Sequence, residues 1–591
     1  MKRYLITTAD ERTWPKDQPV LFLGEWCKLY NRRHIWKEMD AETVPYHWDD
    51  RNKLYKDYLY LKEIYEELLR ELSEWLNEFH HVNHTLRYWR ILIGPWLSNF
   101  IQILFDRWEM VRRAISDYSI AGVYILDIPS EQVIPNDMKH YRRFFLEENW
   151  NETICRQIIQ GWTSIPFRTV QSDNPKPYYY VKTGQYSDKG LKNKLIRLVS
   201  CFSKMLACKN DVFFINTYMS IRQEFNLQFS LGQLPVSWQS VQPPKAKVDW
   251  AQRQWNGDSR KFSLEDFPGV VRTFIPKHIP SLYLEGYLTL QSFCNALPWP
   301  KKPRLIFTSV SYHEDDVFKA WAAEKVETGT PLLIGQHGGF FGIGDWDSTE
   351  DHQYDISDGW LSWGWDDKKH PQVSPVGNLK MIGYKMEWDP QGYALMVEMA
   401  IPRQSYHLYS IPIATQWLDY FYDQCRFVES LPEKIRRSLL VRLYVHDYGW
   451  CQVARWKDHF PDVRLDNGTG PIAPLVKKSR IYISTYNATT FLESMALNIP
   501  TIIFWSPERW ELRDSAVTYF KRLKSVGIFH ETPEGAAAKM SEVWENVPAW
   551  WKSEPVQETR LEFCDRYSRM SEKPLKDLEQ IMRQILNTAG K

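Results

Sequence analysis

The densest run of residues suited to chemistry is Ser484-Thr485-Tyr486-Asn487-Ala488-Thr489-Thr490, with Glu493 close behind. It reads as a hydroxyl-rich turn between a buried strand at 480–483 and a short helix, followed by a second buried strand at 501–504. The first amides of a helix have no intrahelical partner and the helix dipole favours negative charge there. In an open α/β sheet the carboxyl ends of the strands are also where ligands sit. Ser484, Thr485, Asn487 and Thr489 are therefore candidate contacts for a nucleotide phosphate. Glu493, about a turn further on, is placed to accept hydrogen bonds from ribose hydroxyls.

A second cluster, Gly335-Gln336-His337-Gly338-Gly339-Phe340-Phe341-Gly342-Ile343-Gly344, follows an apolar run at 331–334. Glycine lets a backbone approach a ligand closely, which assigns Gly338 and Gly339 to the binding surface. An imidazole at a strand end suits a general base, a general acid or a phosphate donor, and His337 is the leading catalytic candidate. GxxxxGK[ST] is absent, so a P-loop is not supported. The acidic run that follows (Asp345, Asp347, Glu350, Asp351, His352, Asp355, Asp358) matches neither an EF-hand nor HExxH and reads as polar surface. No metal and no cofactor is expected; Glu350 and His352 stay as acid/base or donor-sugar candidates. In Tyr444-Val445-His446-Asp447-Tyr448-Gly449-Trp450, His446 is a phosphate donor candidate and Asp447 a capping residue. On the N-terminal side Asp10, Glu11, Glu25, His47 and Asp49 are candidate bases or nucleophiles for an acceptor, whereas Asp50 reads as a helix N-cap.

Composition narrows the field. Net charge is +1 from 74 basic and 73 acidic side chains, without the basic footprint of a nucleic-acid binder. Eight scattered cysteines with no CxxC pair argue against a disulfide framework or zinc site and for reduced, cytoplasmic thiols. The N-terminus lacks a signal-like apolar core, and the most apolar stretch, 91–105, is too short and too interrupted to span a bilayer. A cytoplasmic location is expected, with peripheral attachment to a membrane left open. The aromatic content, 28 Trp, 32 Tyr and 28 Phe, suits cores and sugar faces alike; the core is the expected main use.

These clusters need a scaffold, and 591 residues are too many for one hydrophobic core. Strand-like runs at 4–8, 20–23, 122–128, 212–216, 304–309, 331–335 and 359–363 alternate with helical ones, which predicts parallel sheets covered by helices. Apolar residues near helical spacing over 51–118 predict a large helical insertion. Residues 234–261 read as a surface excursion. A second series, with strands at 395–399, 439–444, 480–483 and 501–504, looks like a Rossmann-type unit. The expected organisation is α/β, with a helix-rich Rossmann-like acceptor domain over 1–378 and a Rossmann-like donor domain over 379–557. A terminal helix, 558–591, packs back on the first domain. Two such domains facing a cleft have the architecture of a GT-B glycosyltransferase.

The stretches HWDDR, RYWRILIGPW, FDRW, QHGG with ISD and WLSWGW, and ISTYNATTFLESMALNIPTI resemble a bacterial family of transferases encoded in O-antigen and other surface-polysaccharide gene regions, over residues 8–529. More distantly the chain is similar to GT-B enzymes that use CMP-activated ulosonic acids such as Kdo. The resemblance implies transfer of a sugar from a CMP- or UDP-linked donor to a glycan or lipid-linked glycan acceptor. Transfer of a polyol phosphate, epimerisation of a nucleotide sugar, and a non-catalytic glycan-binding scaffold are the alternatives.

Overall fold

Short runs of β-branched and aromatic residues become the interior of three sheets, all parallel, in a computed structural model that describes residues 1–171, 208–255 and 263–589. Cys201 and residues 256–261 of the expected surface excursion lie outside the described residues. The first sheet holds β1 (Arg3–Ile6), β2 (Val20–Phe22), β3 (Ala41–Thr43), β4 (Ile120–Asp127) and β5 (Phe167–Gln171), in the order β3-β2-β1-β4-β5. The second holds β6 (Phe213–Ile215), β7 (Ile306–Thr308), β8 (Leu332–Gly335), β9 (Gly359–Ser362) and β10 (Val373–Pro375), in the order β10-β9-β8-β7-β6. The third holds β11 (Tyr393–Val397), β12 (Leu439–Arg442), β13 (Arg464–Asp466), β14 (Ser479–Ser484), β15 (Thr501–Phe504) and β16 (Phe529–His530), ordered β13-β12-β11-β14-β15-β16. The stretch 1–378, expected to build one Rossmann-like unit, thus contributes two sheets.

Strand order locates the crevices. In the third sheet the order reverses between β11 and β14, paired in register with Val397 opposite Ser484. The loops leaving these two strands diverge to opposite faces and open a crevice at their carboxyl ends. The first sheet reverses between β1 and β4. The second steps one way throughout, so its carboxyl edge is a row of loops without such a switch.

The expected helical insertion is two helices, Arg51–His80 and Leu86–Asp117, separated where His81 turns left-handed at φ 54°. Asp50 caps the first as expected, its Oδ1 accepting from the amides of Asn52 and Lys53 at 2.9 and 3.2 Å. The second is buried on nearly every side, from Trp89 and Arg90 to Val111. A helix apolar all round belongs in a core. Leu86–Asp117 accordingly stands as a pillar between Glu148–Trp162 of the first sheet and Asp316–Glu327 of the second. The charged-aromatic motifs on it are structural ion pairs: Arg90 with Glu66 at 2.5 Å and Arg107 with Asp106 at 2.6 Å. The terminal stretch is two helices, Glu554–Tyr567 and Pro574–Ala589. Leu578 and Met582 of the latter pack with Phe214, Phe307 and Leu333 on the outer face of the second sheet. No helix among the described residues is long and apolar enough to cross a membrane.

The third sheet is fastened to the other two by the loop that leaves β11. Arg403, 6% exposed, reaches into the first sheet, bonding Glu148 and the carbonyl of Trp26. Arg107 of the pillar donates to the Ser405 carbonyl at 2.8 Å, and Gln102 Oε1 accepts from the Leu408 amide at 2.6 Å. Segment 343–348 is gripped on both sides: Ser348 N donates to Leu408 O (3.1 Å), and Arg513 N donates to Ile343 O (2.9 Å). Removing Arg403 leaves the Glu148 carboxylate buried without its cation. Arg403→Met should therefore lower unfolding free energy by about 3–5 kcal/mol. Pairing it with Glu148→Gln should recover a large part of that loss, as read from urea titrations of the three proteins.

Candidate active site

A cavity of about 550 Å³ opens where the three sheets converge. Its floor is the carboxyl edge of the second sheet: Asn216 and Tyr218 after β6, Tyr312 and His313 after β7, and His337 after β8. One wall is the short helix Met138–Phe144, bearing Arg142; beside it is the β11 loop, with Tyr406 and His407. Arg142 is ion-paired with Glu314 at the rim.

Local sequence explains why His337 is held there. Gln336, 4% exposed, is a cross-brace: its Nε2 donates to Gly338 O at 2.7 Å. Its Oε1 accepts from the Trp363 amide at 2.8 Å and from Trp365 Nε1 at 3.0 Å. The QHGG turn and the WLSWGW loop after β9 are thus one hydrogen-bonded unit. Gly342, left-handed at φ 76°, passes so close to Trp365 that a Cβ would lie 2.3 Å from its ring.

His337 is half-buried, with Nδ1 buried and without a hydrogen-bond partner. Burial pushes its imidazole down to about 4. His407 is pushed down to about 3 by burial and the Arg142 charge, and His313 is well below its ordinary value for the same reasons. At neutral pH the cavity is ringed by uncharged imidazoles, each with lone-pair capacity to take a proton from a hydroxyl.

The same glycine turn touches the third sheet. Gly339 N donates to Thr489 Oγ1 at 3.1 Å, and a Cβ on Gly339 would lie 2.6 Å from Ala488 O. Only glycine permits that approach, and through it the His337 turn rests on the start of helix Thr489–Ala496. No side chain caps that helix. Asn487, 2% exposed, precedes it with both Oδ1 and Nδ2 unpartnered. The structure therefore brings the His337 turn, through Gly338 and Gly339, against Ala488 and Thr489, just after Asn487.

Other expected site residues are used by the fold. Ser484 and Thr485 are buried: Ser484 Oγ donates to Tyr486 O at 3.2 Å, and Thr485 Oγ1 donates to Val397 O at 3.0 Å while bonded to Tyr420 OH. Their hydroxyls close the turn. Glu493 lies 2.6 Å from Lys380 Nζ. His446 lies beside Tyr444 and Tyr448, its pKa lowered by burial and the Arg142 charge; Asp447 caps Gln452–His459 through the Cys451 and Gln452 amides.

The acidic and imidazole candidates of the acceptor wall are not assembled into one site. Asp10 is fully buried and clasps Arg12, Glu11 pairs with Arg32 at 2.5 Å, and Glu25 with Lys28 at 2.5 Å. His47 is buried between Asp106 (3.1 Å) and Lys53 (3.3 Å), and burial lowers its pKa. Asp49 is exposed, 3.4 Å from Gln416 Nε2. Glu350 is buried against Arg513 (2.8 Å) and Tyr354 OH (2.5 Å). Asp10 and Glu25 pair with near neighbours, whereas Glu11 and Glu350 pair with arginines from other segments, which spacing alone does not reveal. No group of three or more His, Cys, Asp or Glu among the described residues is arranged to hold a metal. Sequence reasoning passed over Gln336, Arg142, His313 and His407; the adjacency of Gln336 to His337 was the one available signal.

A parallel α/β protein with a ligand-sized cavity at its strand carboxyl ends has the site at which such folds bind small molecules. The chain belongs to the LIC12162 family of transferases, whose model matches residues 3–582. No curated protein matches it in sequence. Solved structures with some likeness include the pneumococcal O-GlcNAc transferase GtfA in complex with UDP and GlcNAc, at 12% identity and TM-score 0.32 over 51% of this chain and 59% of that one. TarM matches at 13% identity and TM-score 0.29, over 49% and 54%. The wall teichoic acid polymerase TagF matches at 9% identity and TM-score 0.28, over 68% and 97%. The chain thus spans somewhat over half the length of GtfA and TarM.

Two outcomes follow from this geometry. Gln336→Leu orphans the Trp363 amide and Trp365 Nε1, and should lower stability by about 1–3 kcal/mol for each group left unpaired, measured by urea unfolding. Folded pKa values of about 4 (His80, His337) and about 3 (His278, His352, His407) lie below the ordinary histidine value. The fold favours their neutral forms, so their contribution is complete above the unfolded pKa of about 6.5. It is lost as pH falls toward 3, because the unfolded chain takes up protons that the folded one refuses. The urea midpoint should fall across that window, and His407→Gln should flatten the decline.

Proposed function

We propose that this transferase is a glycosyltransferase acting in surface-polysaccharide assembly. It would move a sugar from a CMP- or UDP-linked donor to a glycan or lipid-linked glycan acceptor, from the cytoplasm or the inner face of the membrane. In this reading residues 379–557 hold the donor and residues 1–378 the acceptor. The observation that carries it is the contact of the His337 turn with the uncapped start of Thr489–Ala496: a neutral base and an anion-stabilising helix end share one junction.

The acceptor hydroxyl enters the cavity and gives its proton to the neutral His337 imidazole as its oxygen bonds to the sugar's anomeric carbon. The bond from that carbon to the phosphate oxygen breaks with its electron pair. Developing negative charge on the leaving nucleotide is met by the first-turn amides, Asn487 Nδ2 and Thr489. Glu493 and His446 remain candidate contacts for ribose and phosphate.

A thermal-shift panel of CMP, UDP, GDP, CDP-alditols and nucleotide sugars tests the donor. Binding to the native state raises stability by about 2.7 kcal/mol at a hundredfold excess over Kd. Shifts with nucleotide sugars support the reading, a shift with CDP-alditols alone would replace it by polyol-phosphate transfer, and none at all would falsify it. With the donor known, His337→Asn should lower kcat by about 10²–10⁴-fold and leave the nucleotide shift intact. The acid limb of the wild-type rate profile should fall near 4 and not near 6.5, since the base stays unprotonated down to that pH.

A further inference from the structure

Much of the aromatic mass of the described residues is buried; Trp48, Trp89, Trp96, Trp360, Trp417 and Trp505 are among the largest fully enclosed side chains. Tyr218 is different. It is 45% exposed and lines the cavity, on the turn that leaves β6. Its backbone is left-handed at φ 62°, and so is that of Asn216, at φ 49°. For a bulky residue such a conformation is unfavourable and persists only where neighbours over-determine it.

The neighbours fix the two residues that precede Tyr218. Ser309 N donates to Asn216 O at 3.1 Å, and Ser309 Oγ donates to Thr217 O at 3.2 Å. Asn216 Nδ2 donates to Ser240 Oγ (3.0 Å) and Ser311 Oγ (2.8 Å), and Thr217 Oγ1 donates to Glu224 at 2.8 Å. Four hydroxyl or carboxylate partners and one backbone amide hold Asn216 and Thr217 in a turn that buries no large side chain of its own. What the turn achieves is to stand a phenol ring at the cavity wall beside Tyr312, whose ring centroid is 6.3 Å from that of His337. Asn216, Gln242 and Asp315 line the same side, planar polar groups of the kind that bond sugar hydroxyls.

We propose that Tyr218 is a stacking platform for a pyranose ring of the acceptor, and so a residue that determines acceptor specificity. The inference rests on the glycosyltransferase reading and names the acceptor's chemistry: a ring with one face of C–H bonds packs on the phenol while its hydroxyls meet the polar side chains around it. In that reading the donor binds at the start of Thr489–Ala496 and does not touch this residue.

Saturation-transfer NMR on the full chain, with methyl glycosides of glucose, galactose, N-acetylglucosamine and rhamnose as probes, tests the proposal. UDP and CMP thermal shifts are measured on the same samples. The ring protons of at least one glycoside should receive saturation from wild-type protein and from Tyr218→Phe. Tyr218→Ala should weaken that glycoside about tenfold and leave the nucleotide shifts unchanged. Tyr218→Gly removes the ring and relieves the left-handed strain together, so it should raise the melting temperature while losing the glycoside. Unchanged glycoside binding in Tyr218→Ala, no saturation transfer to any glycoside in the wild type, or a lower melting temperature in Tyr218→Gly overturns the proposal. Loss of the nucleotide shift in Tyr218→Ala overturns it in favour of a nucleobase platform. Absence of nucleotide shifts in the wild type strikes the glycosyltransferase reading instead, and is seen separately.

Discussion

The arrangement of three sheets depends on a guanidinium that has no water to turn to. Arg403 leaves the third sheet on the β11 loop and ends beside Glu148 and the Trp26 carbonyl, deep in the first. A charge buried this far must meet its counter-charge and its hydrogen-bond acceptors, because desolvation is repaid only by close pairing. That requirement admits one placement of the loop. Tyr406 and His407, three and four residues on, are thereby delivered to the cavity wall, and Leu408 and Ser410 lace the loop to segment 343–348.

A second constraint acts at shorter range. The Gln336 side chain ties the glycine turn to the tryptophan loop after β9, and the missing side chain of Gly339 lets that turn rest on the start of Thr489–Ala496. The imidazole of His337 gains a fixed position and a low-dielectric setting from this packing. The same setting keeps it neutral. Position and proton affinity thus have a common cause.

Strands were legible wherever both faces are covered. Each interior strand carries a continuous apolar run, as in Leu332–Gly335 or Thr501–Phe504, with every residue buried. The five strands that pattern reading passed over, β3, β5, β10, β13 and β16, are all at sheet edges. Ala41–Thr43, Phe167–Gln171 and Arg464–Asp466 expose much of their length and include charged or polar residues, so nothing in their composition separates them from loops. The one-helix reading of the C-terminus overlooked a local break: Ser568-Arg569-Met570-Ser571-Glu572-Lys573 is polar apart from Met570, and Pro574 starts the second helix, whose Leu578 and Met582 dock on the second sheet.

By itself the sequence determined the α/β class with parallel sheets, the helical pillar, the Asp50 cap and the two strand-end turns at 335–344 and 484–490, because each is written in neighbouring residues by period, glycine content or capping chemistry. The tertiary structure decided which polar groups remain for a ligand. Asp10 and Glu25 met the near cations Arg12 and Lys28, Glu11, His47 and Glu350 met partners from other segments, and the Ser484 and Thr485 hydroxyls closed their own turn. His337 and Asn487 kept unsatisfied atoms, and Tyr218 kept an open ring. Where the partner comes from another segment, as Arg513 does for Glu350 and Asp106 for His47, local sequence holds no record of it.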